Sequence, residues 1–237
     1  MNSPILILHG WGLSGNKYAE TQKLLEEKGY KVYAPDLPGF GYVEMLNGSM
    51  VLDDYVFFVK KFIEREKLKK VILIGHSFGG RVSVKFAVKY PEMVEKLILT
   101  GAPLLRPKLG FKKYVISKTA LLLGFVKNYL PLSVTQMLRK LIYRFIGEYD
   151  YLKADKMKST FVNVINEDLV DVIKNIDIPT LLIWGKNDKL VKIEIANKAH
   201  KFIKKSKLEI IENEGHALPY KSPKIFSTLV INFIKNK

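Results

Sequence analysis

Three residues far apart in the chain have the types that acyl transfer requires. Ser77 stands in Gly75-His76-Ser77-Phe78-Gly79, a G-x-S-x-G pattern that follows the aliphatic run Val71–Gly75 and precedes a segment of helical periodicity. In that setting the serine occupies a sharp strand-to-helix turn. Its strained backbone needs glycines on both sides so that neighbouring elements can approach. The Ser77 hydroxyl is then expected to project at the carboxyl end of a sheet, above a helix N-terminus that favours developing negative charge.

A serine hydroxyl is a weak nucleophile and needs a base oriented by a third group. Asp188, in Trp184-Gly185-Lys186-Asn187-Asp188, follows the apolar run Thr180–Trp184, and His216 lies in Glu214-Gly215-His216-Ala217, between Leu208–Ile211 and the last helical segment. The order Ser, Asp, His is the one that this kind of elbow predicts. Asp177 is a rival acid, but it precedes Ile178-Pro179 and so belongs to the entry side of its strand. A tetrahedral oxyanion needs two backbone N–H groups. One is expected from Phe78, next to the nucleophile, and the other from Trp11 in His9-Gly10-Trp11-Gly12, directly after Ile5–Leu8. His9 and His76 are read as hydrogen-bonding the loops that frame the site, and His200 as a surface residue. With four scattered histidines and no H-E-x-x-H pattern, neither a metal nor a cofactor is expected.

These residues need a scaffold that brings strand ends together. Apolar runs at Ile5–His9, Val32–Pro35, Val71–Gly75, Leu97–Thr100, Thr180–Trp184 and Leu208–Ile211 predict six strands buried on both faces. Helical periodicity separates them, at Lys17–Lys28, Leu52–Arg65, Phe78–Lys89, Ile193–Lys204 and Pro223–Ile234. Alternation of this kind is the signature of an α/β fold, a parallel sheet flanked by helices whose ligands bind at the carboxyl ends of the strands. It breaks between Leu104 and about Asp168, where Leu138, Leu141, Ile142 and Phe145 mark an amphipathic helix with Lys140 and Arg144 opposite. The expected organisation is therefore a core of residues 1–103 and 169–237 with a helical cap inserted at 104–168. Cap residues such as Phe111, Tyr114, Leu121 and Phe125 could line an acyl pocket or simply pack the cap.

Composition narrows the classes further. The 237 residues are 48% hydrophobic, which excludes a disordered chain, and the absence of cysteine excludes a disulfide scaffold, a thiolate nucleophile and a Cys-ligated metal. The formal net charge is +16, yet only five of the 39 basic residues are arginine and no nucleic-acid-binding signature is present. No nucleic-acid partner is expected. Residues 104–160 carry twelve Lys and Arg against three Asp and Glu, a basic segment suited to an acidic partner. The most apolar stretches fall short of the ~20 residues of a transmembrane helix. No basic residue precedes Lys17, as a signal peptide would require, so the expected location is cytoplasmic.

Taken together, the elbow, the downstream Asp and His and the HGWG strand end resemble the α/β-hydrolase superfamily, in the branch of capped serine carboxylesterases. The resemblance extends to Asp36-Leu37-Pro38-Gly39-Phe40-Gly41 and to Tyr90-Pro91-Glu92-Met93-Val94. It implies the α/β-hydrolase fold and cofactor-independent cleavage of carboxylic esters through an acyl-enzyme. The same triad in this superfamily also serves C–C bonds, thioesters and lactones. Within the branch, His9–Gly12 with Asp36–Gly41 is similar to esterases that cleave pimeloyl-acyl-carrier-protein methyl esters, which implies an acidic carrier read by a basic cap. Two departures stand out. The chain starts almost at the HG-bearing strand, without the family's leading hairpin, which suggests a bare sheet edge and dimerisation there as a remedy. Tyr42 replaces the serine that commonly follows G-x-G. From another class, a non-catalytic module docking an acidic partner through the basic cap is the alternative.

Overall fold

The computed structural model describes residues 2–46, 48–105 and 157–236. Six parallel strands form one sheet: β1 (Ile5–Leu8), β2 (Val32–Tyr33), β3 (Val71–His76), β4 (Val94–Thr100), β5 (Thr180–Gly185) and β6 (Ser206–Ile211). Their order is β2-β1-β3-β4-β5-β6, so the chain starts one strand in from an edge, adds that edge and then crosses back to build the rest of the sheet. Leu6 pairs with Leu73, Leu73 with Leu97, Leu97 with Thr180 and Thr180 with Ser206, which aligns the carboxyl ends of β1, β3, β4, β5 and β6.

The helices among the described residues are α1 (Ala19–Glu26), entered through a 3-10 turn at Gly15–Tyr18, α2 (Leu52–Arg65), α3 (Phe78–Lys89), α4 (Lys158–Asn166), α5 (Val170–Lys174), α6 (Ile193–Phe202), α7 (Leu218–Lys221) and α8 (Pro223–Lys235). Alternation along the strands sends Ile5, Ile7, Ile72, Ile74, Ile98, Leu181 and Ile183 into one core with Leu25 of α1 and Phe226 and Val230 of α8. The intervening positions face the side where α3 packs on β1, β3 and β4 and α6 packs on β5 and β6. Every residue of β1, β3 and β5 is buried, as expected of strands covered on both faces.

The expected six-stranded parallel architecture is present; other strand ends shift by one or two residues, as in β2, which stops at Tyr33 instead of Pro35, and two strands start earlier than expected. β6 begins two residues before the expected Leu208 and is an edge strand, alternately exposed, with Ile210 40% accessible. β4 begins three residues before Leu97, because Lys96 sits in the strand and turns its ammonium to the carbonyls of Phe233, Ile234 and Asn236 at the end of α8. A charged side chain that caps a helix C-terminus hides the strand from a search for apolar runs.

By compactness the chain divides into two units, Met1–Arg106 with Asn163–Lys237, and Pro107–Val162. Residues 106–156 of the expected cap, including the basic amphipathic helix, lie outside the described residues. Among the described residues, no helix is long and apolar enough to cross a membrane.

Candidate active site

Ser77 follows the last residue of β3 and precedes the first turn of α3. Its backbone, at φ 52° and ψ −116°, lies in a region that L-residues rarely occupy and that costs of order 1–3 kcal/mol. The surroundings impose that geometry. The Ser77 N–H donates to Thr100 O at 2.9 Å at the end of β4, and the Gly79 N–H donates to His9 O at 3.1 Å just beyond β1. A Cβ on Gly79 would lie 2.1 Å from the Leu8 carbonyl oxygen, so only glycine lets α3 start this close to β1. As first residue of α3, Phe78 has no carbonyl of its own helix for its N–H.

Asp188 and His216 come from the loops after β5 and β6, and the structure brings them into direct contact. His216 Nδ1 lies 2.8 Å from Asp188 Oδ2, with the carboxylate side chain 1% exposed and the imidazole 16%. Asp188 Oδ1 accepts the N–H groups of Leu190 (2.9 Å) and Val191 (2.8 Å), and the Trp184 indole pins the same loop by donating to Val191 O at 2.8 Å. The two loops are also joined through their backbones, Lys186 N–H to Ile211 O and Asn187 N–H to Glu214 O. With Nδ1–H donated to the carboxylate, Nε2 of a neutral His216 carries the free lone pair that a general base needs.

Gly101 links this pair to the elbow. It follows Thr100, the acceptor for the Ser77 N–H, and a Cβ at its position would lie 2.9 Å from both Cε1 and Nδ1 of His216. The imidazole thus packs on the backbone next to the one that holds Ser77. The Ser77 hydroxyl itself forms no hydrogen bond to His216 among the described residues.

A second imidazole lies behind the first. His76 is fully buried, its ring centroid 4.9 Å from that of His216, with Nε2 2.9 Å from His216 O and Nδ1 2.7 Å from the Tyr18 hydroxyl. Burial, together with the nearby His216, pushes its pKa down to about 3, so the ring is neutral at ordinary pH. Tyr18 in turn accepts the Gly10 N–H at 3.2 Å, and its burial raises the phenol pKa far above the usual range. His9 is likewise buried and lowered in pKa by desolvation; its Nδ1 donates to Gly10 O and its Nε2 accepts from the Leu37 N–H.

The Asp36–Gly41 loop is therefore tied to the HGWG loop. Asp36 strengthens the tie by accepting from the Gly15 N–H (2.7 Å) and the Tyr42 N–H (3.2 Å). Phe40 packs edge-on against both His9 (5.4 Å) and Trp11 (4.9 Å), and Trp11 packs against Phe78 (5.3 Å). An aromatic wall thus joins the two residues whose N–H groups are the expected oxyanion donors.

Asp177 is remote from this cluster in its contacts and pairs with Lys205 at 2.8 Å. His200 is exposed, bonded to Ser206 Oγ. Tyr42 is fully exposed, so its departure from the family pattern is confined to the surface. Two residues of the site carried no sequence signal, Tyr18, because a tyrosine at the start of a helix looks like packing, and Gly101, because a lone glycine after a strand looks like a turn. Among the described residues, no group of three or more His, Asp or Glu is placed to hold a metal ion.

The chain is similar to known proteins over almost its whole length. The chain is 27% identical over 245 residues to the uncharacterized hydrolase YugF of Bacillus subtilis, covering 98% of this chain and 89% of that one. It is also 27% identical over 252 residues to a 2-hydroxy-6-oxononadienedioate/2-hydroxy-6-oxononatrienedioate hydrolase of Escherichia coli, covering 97% and 86%. Among solved structures, an esterase from Exiguobacterium antarcticum superposes with a TM-score of 0.76 at 24% identity, over 99% of this chain and 92% of that one. A sheet of parallel strands, a strained serine between strand and helix, and a family profile described as the alpha/beta hydrolase fold that matches residues 3–223 together place the chain in the alpha/beta hydrolase family.

Proposed function

We propose that the protein is a serine hydrolase of carboxylic esters, with Ser77 as nucleophile, His216 as general base and Asp188 as the group that orients it. The observation that carries this reading is the 2.8 Å hydrogen bond between His216 and the buried Asp188 carboxylate, packed through Gly101 beside the strained turn of Ser77. In the proposed reaction, His216 Nε2 takes the Ser77 proton as Oγ attacks the ester carbonyl. Asp188 stabilises the resulting imidazolium without being protonated. The backbone N–H groups of Trp11 and Phe78 bind the oxyanion. The imidazolium returns its proton to the departing alcohol, and an acyl-enzyme forms. A water deprotonated by the same imidazole then attacks the acyl carbonyl, and Ser77 leaves with the proton.

The test is hydrolysis of p-nitrophenyl esters from acetate to long chains by wild type and Ser77→Ala. Activity abolished by the substitution supports the reading, and the chain-length optimum sizes the acyl site. A wild type inert on every ester, or an unimpaired Ser77→Ala variant, overturns it. Cleavage of a C–C bond is the second reading, favoured by the E. coli relative, whose name specifies a 2-hydroxy-6-oxo dienedioate substrate. Loss of absorbance of such a vinylogous diketone, at a rate above that of any ester, would select it. The basic segment 104–160 supports an acidic carrier as acyl donor, whose binding should weaken steeply as salt rises.

A further inference from the structure

The hydrogen bonds of His76 run in one direction across the site. The His216 carbonyl oxygen can only accept, so His76 Nε2 carries the proton and donates it at 2.9 Å. Nδ1 of the neutral ring is then an acceptor, and the Tyr18 hydroxyl donates to it at 2.7 Å. That leaves the Tyr18 oxygen to accept the Gly10 N–H at 3.2 Å. The chain Gly10, Tyr18, His76, His216 begins one residue before Trp11 and ends on the main chain of the proposed base. It therefore connects two loops with opposite duties, one cradling the developing oxyanion and the other carrying the group that moves the proton.

We propose that His76 and Tyr18 are positioning residues that set the spacing between the base loop and the oxyanion loop. The proposal rests on the serine-hydrolase reading. Three features separate it from simple core filling. The ring is enclosed, yet both of its nitrogens are used, and one is spent on the backbone of the base. Asp188 fixes the rotation of the His216 ring from the Nδ1 side, and Gly101 limits its approach from beneath. The His76 bond adds the remaining constraint, on the position of the loop itself. Because His76 is neutral, it also places no fixed positive charge beside His216 as that ring gains its own.

The two nitrogens can be tested separately. A glutamine amide reaches the place of Nε2 and an asparagine amide only that of Nδ1. His76→Gln should thus keep the bond to His216, while His76→Asn loses it. On a p-nitrophenyl ester, kcat of His76→Gln is expected within about threefold of wild type. His76→Asn should fall about 10- to 100-fold with KM nearly unchanged, the scale of a misplaced catalytic group. Tyr18→Phe, which keeps the ring and the His76 bond to His216 but removes both hydrogen bonds of the phenol, to Gly10 and to His76, should fall between them. The low-field NMR resonance of the His216 Nδ1 proton reports loop position without turnover. It should persist in His76→Gln and be broadened or lost in His76→Asn. Equal kcat in the two His76 variants, or an unchanged resonance in His76→Asn, overturns the proposal. An inert wild type or an active Ser77→Ala overturns the esterase reading instead, and the resonance still decides the positioning role.

Discussion

Asp188 accepts the Nδ1 proton of His216 with one carboxylate oxygen while the other is held by two backbone N–H groups. The carboxylate is therefore held by the backbone on one side while it holds the imidazole on the other. Asp188→Asn would keep the shape and present an amide N–H to His216, forcing the proton to Nε2 and removing the lone pair that, in the proposed reaction, accepts from Ser77. The expected result is a fall in kcat of about 10⁴-fold with little change in melting temperature. A loss of less than tenfold on the best ester would show that Asp188 does not hold the base.

Gly101 has φ 55°, and a Cβ there would press on the His216 ring at 2.9 Å. Gly101→Ala should cost about 1–3 kcal/mol from backbone strain and displace the imidazole. Activity should drop at least tenfold in a variant that still melts cooperatively, as read by steady-state kinetics beside a urea titration. Full activity at reduced stability would mean that the ring tolerates the methyl group.

Buried neutral histidines make the fold sensitive to acid. The unfolded chain binds a proton on His76 near the ordinary value of 6.5, and the folded chain only near about 3. Unfolding in that window takes up a proton. The contribution is therefore complete above pH 6.5, and stability falls as the pH drops toward 3, by up to about 1.4 kcal/mol per pH unit. His9, lowered in pKa by burial, acts in the same direction. Urea unfolding at pH 7, 5.5 and 4.5 should show this decline, with a shallower slope in His76→Gln. Identical slopes would remove His76 as its source.

Arg81 is buried on α3 and donates to the carbonyl oxygens of Pro103 and Glu167, two positions that flank residues 106–156 in sequence. Burial lowers its pKa to about 10, so it remains a cation at neutral pH. Arg81→Met fills much of the same space but leaves both carbonyls without a donor, at an expected cost of about 2–4 kcal/mol. Thermal unfolding checks this, and a change below about 0.5 kcal/mol would mean that water replaces the guanidinium.

Much of the architecture was legible in the chain because a parallel sheet covered on both faces turns its central strands into unbroken aliphatic runs, as in Ile5–Leu8 and Val71–Ile74. Legibility failed where a strand meets solvent or a charge. β6 is an edge, so Lys207 and Glu209 interrupt it, and the start of β4 is obscured by Lys96, whose ammonium caps a distant helix. The chemical candidates were equally local: Ser77 in its glycine-flanked turn, Asp188 and His216 in loops after strands. Chemistry of that kind is written in neighbouring residues.

What no local pattern contains is which loops meet. The order β2-β1-β3-β4-β5-β6 puts β3 between β1 and β4 and leaves β5 and β6 side by side. Common strand direction then delivers the Asp188 and His216 loops to one place and stacks Gly101 beneath the imidazole. Tyr18 and His76, 58 residues apart, become partners by the same route. The sequence by itself determined most of the strands and helices and marked the candidate reactive groups, because propensity and burial act over a few neighbours. Only the tertiary structure decided the hydrogen-bonded network behind His216, because each of its bonds joins residues that burial of the sheet, and not the chain, brings together.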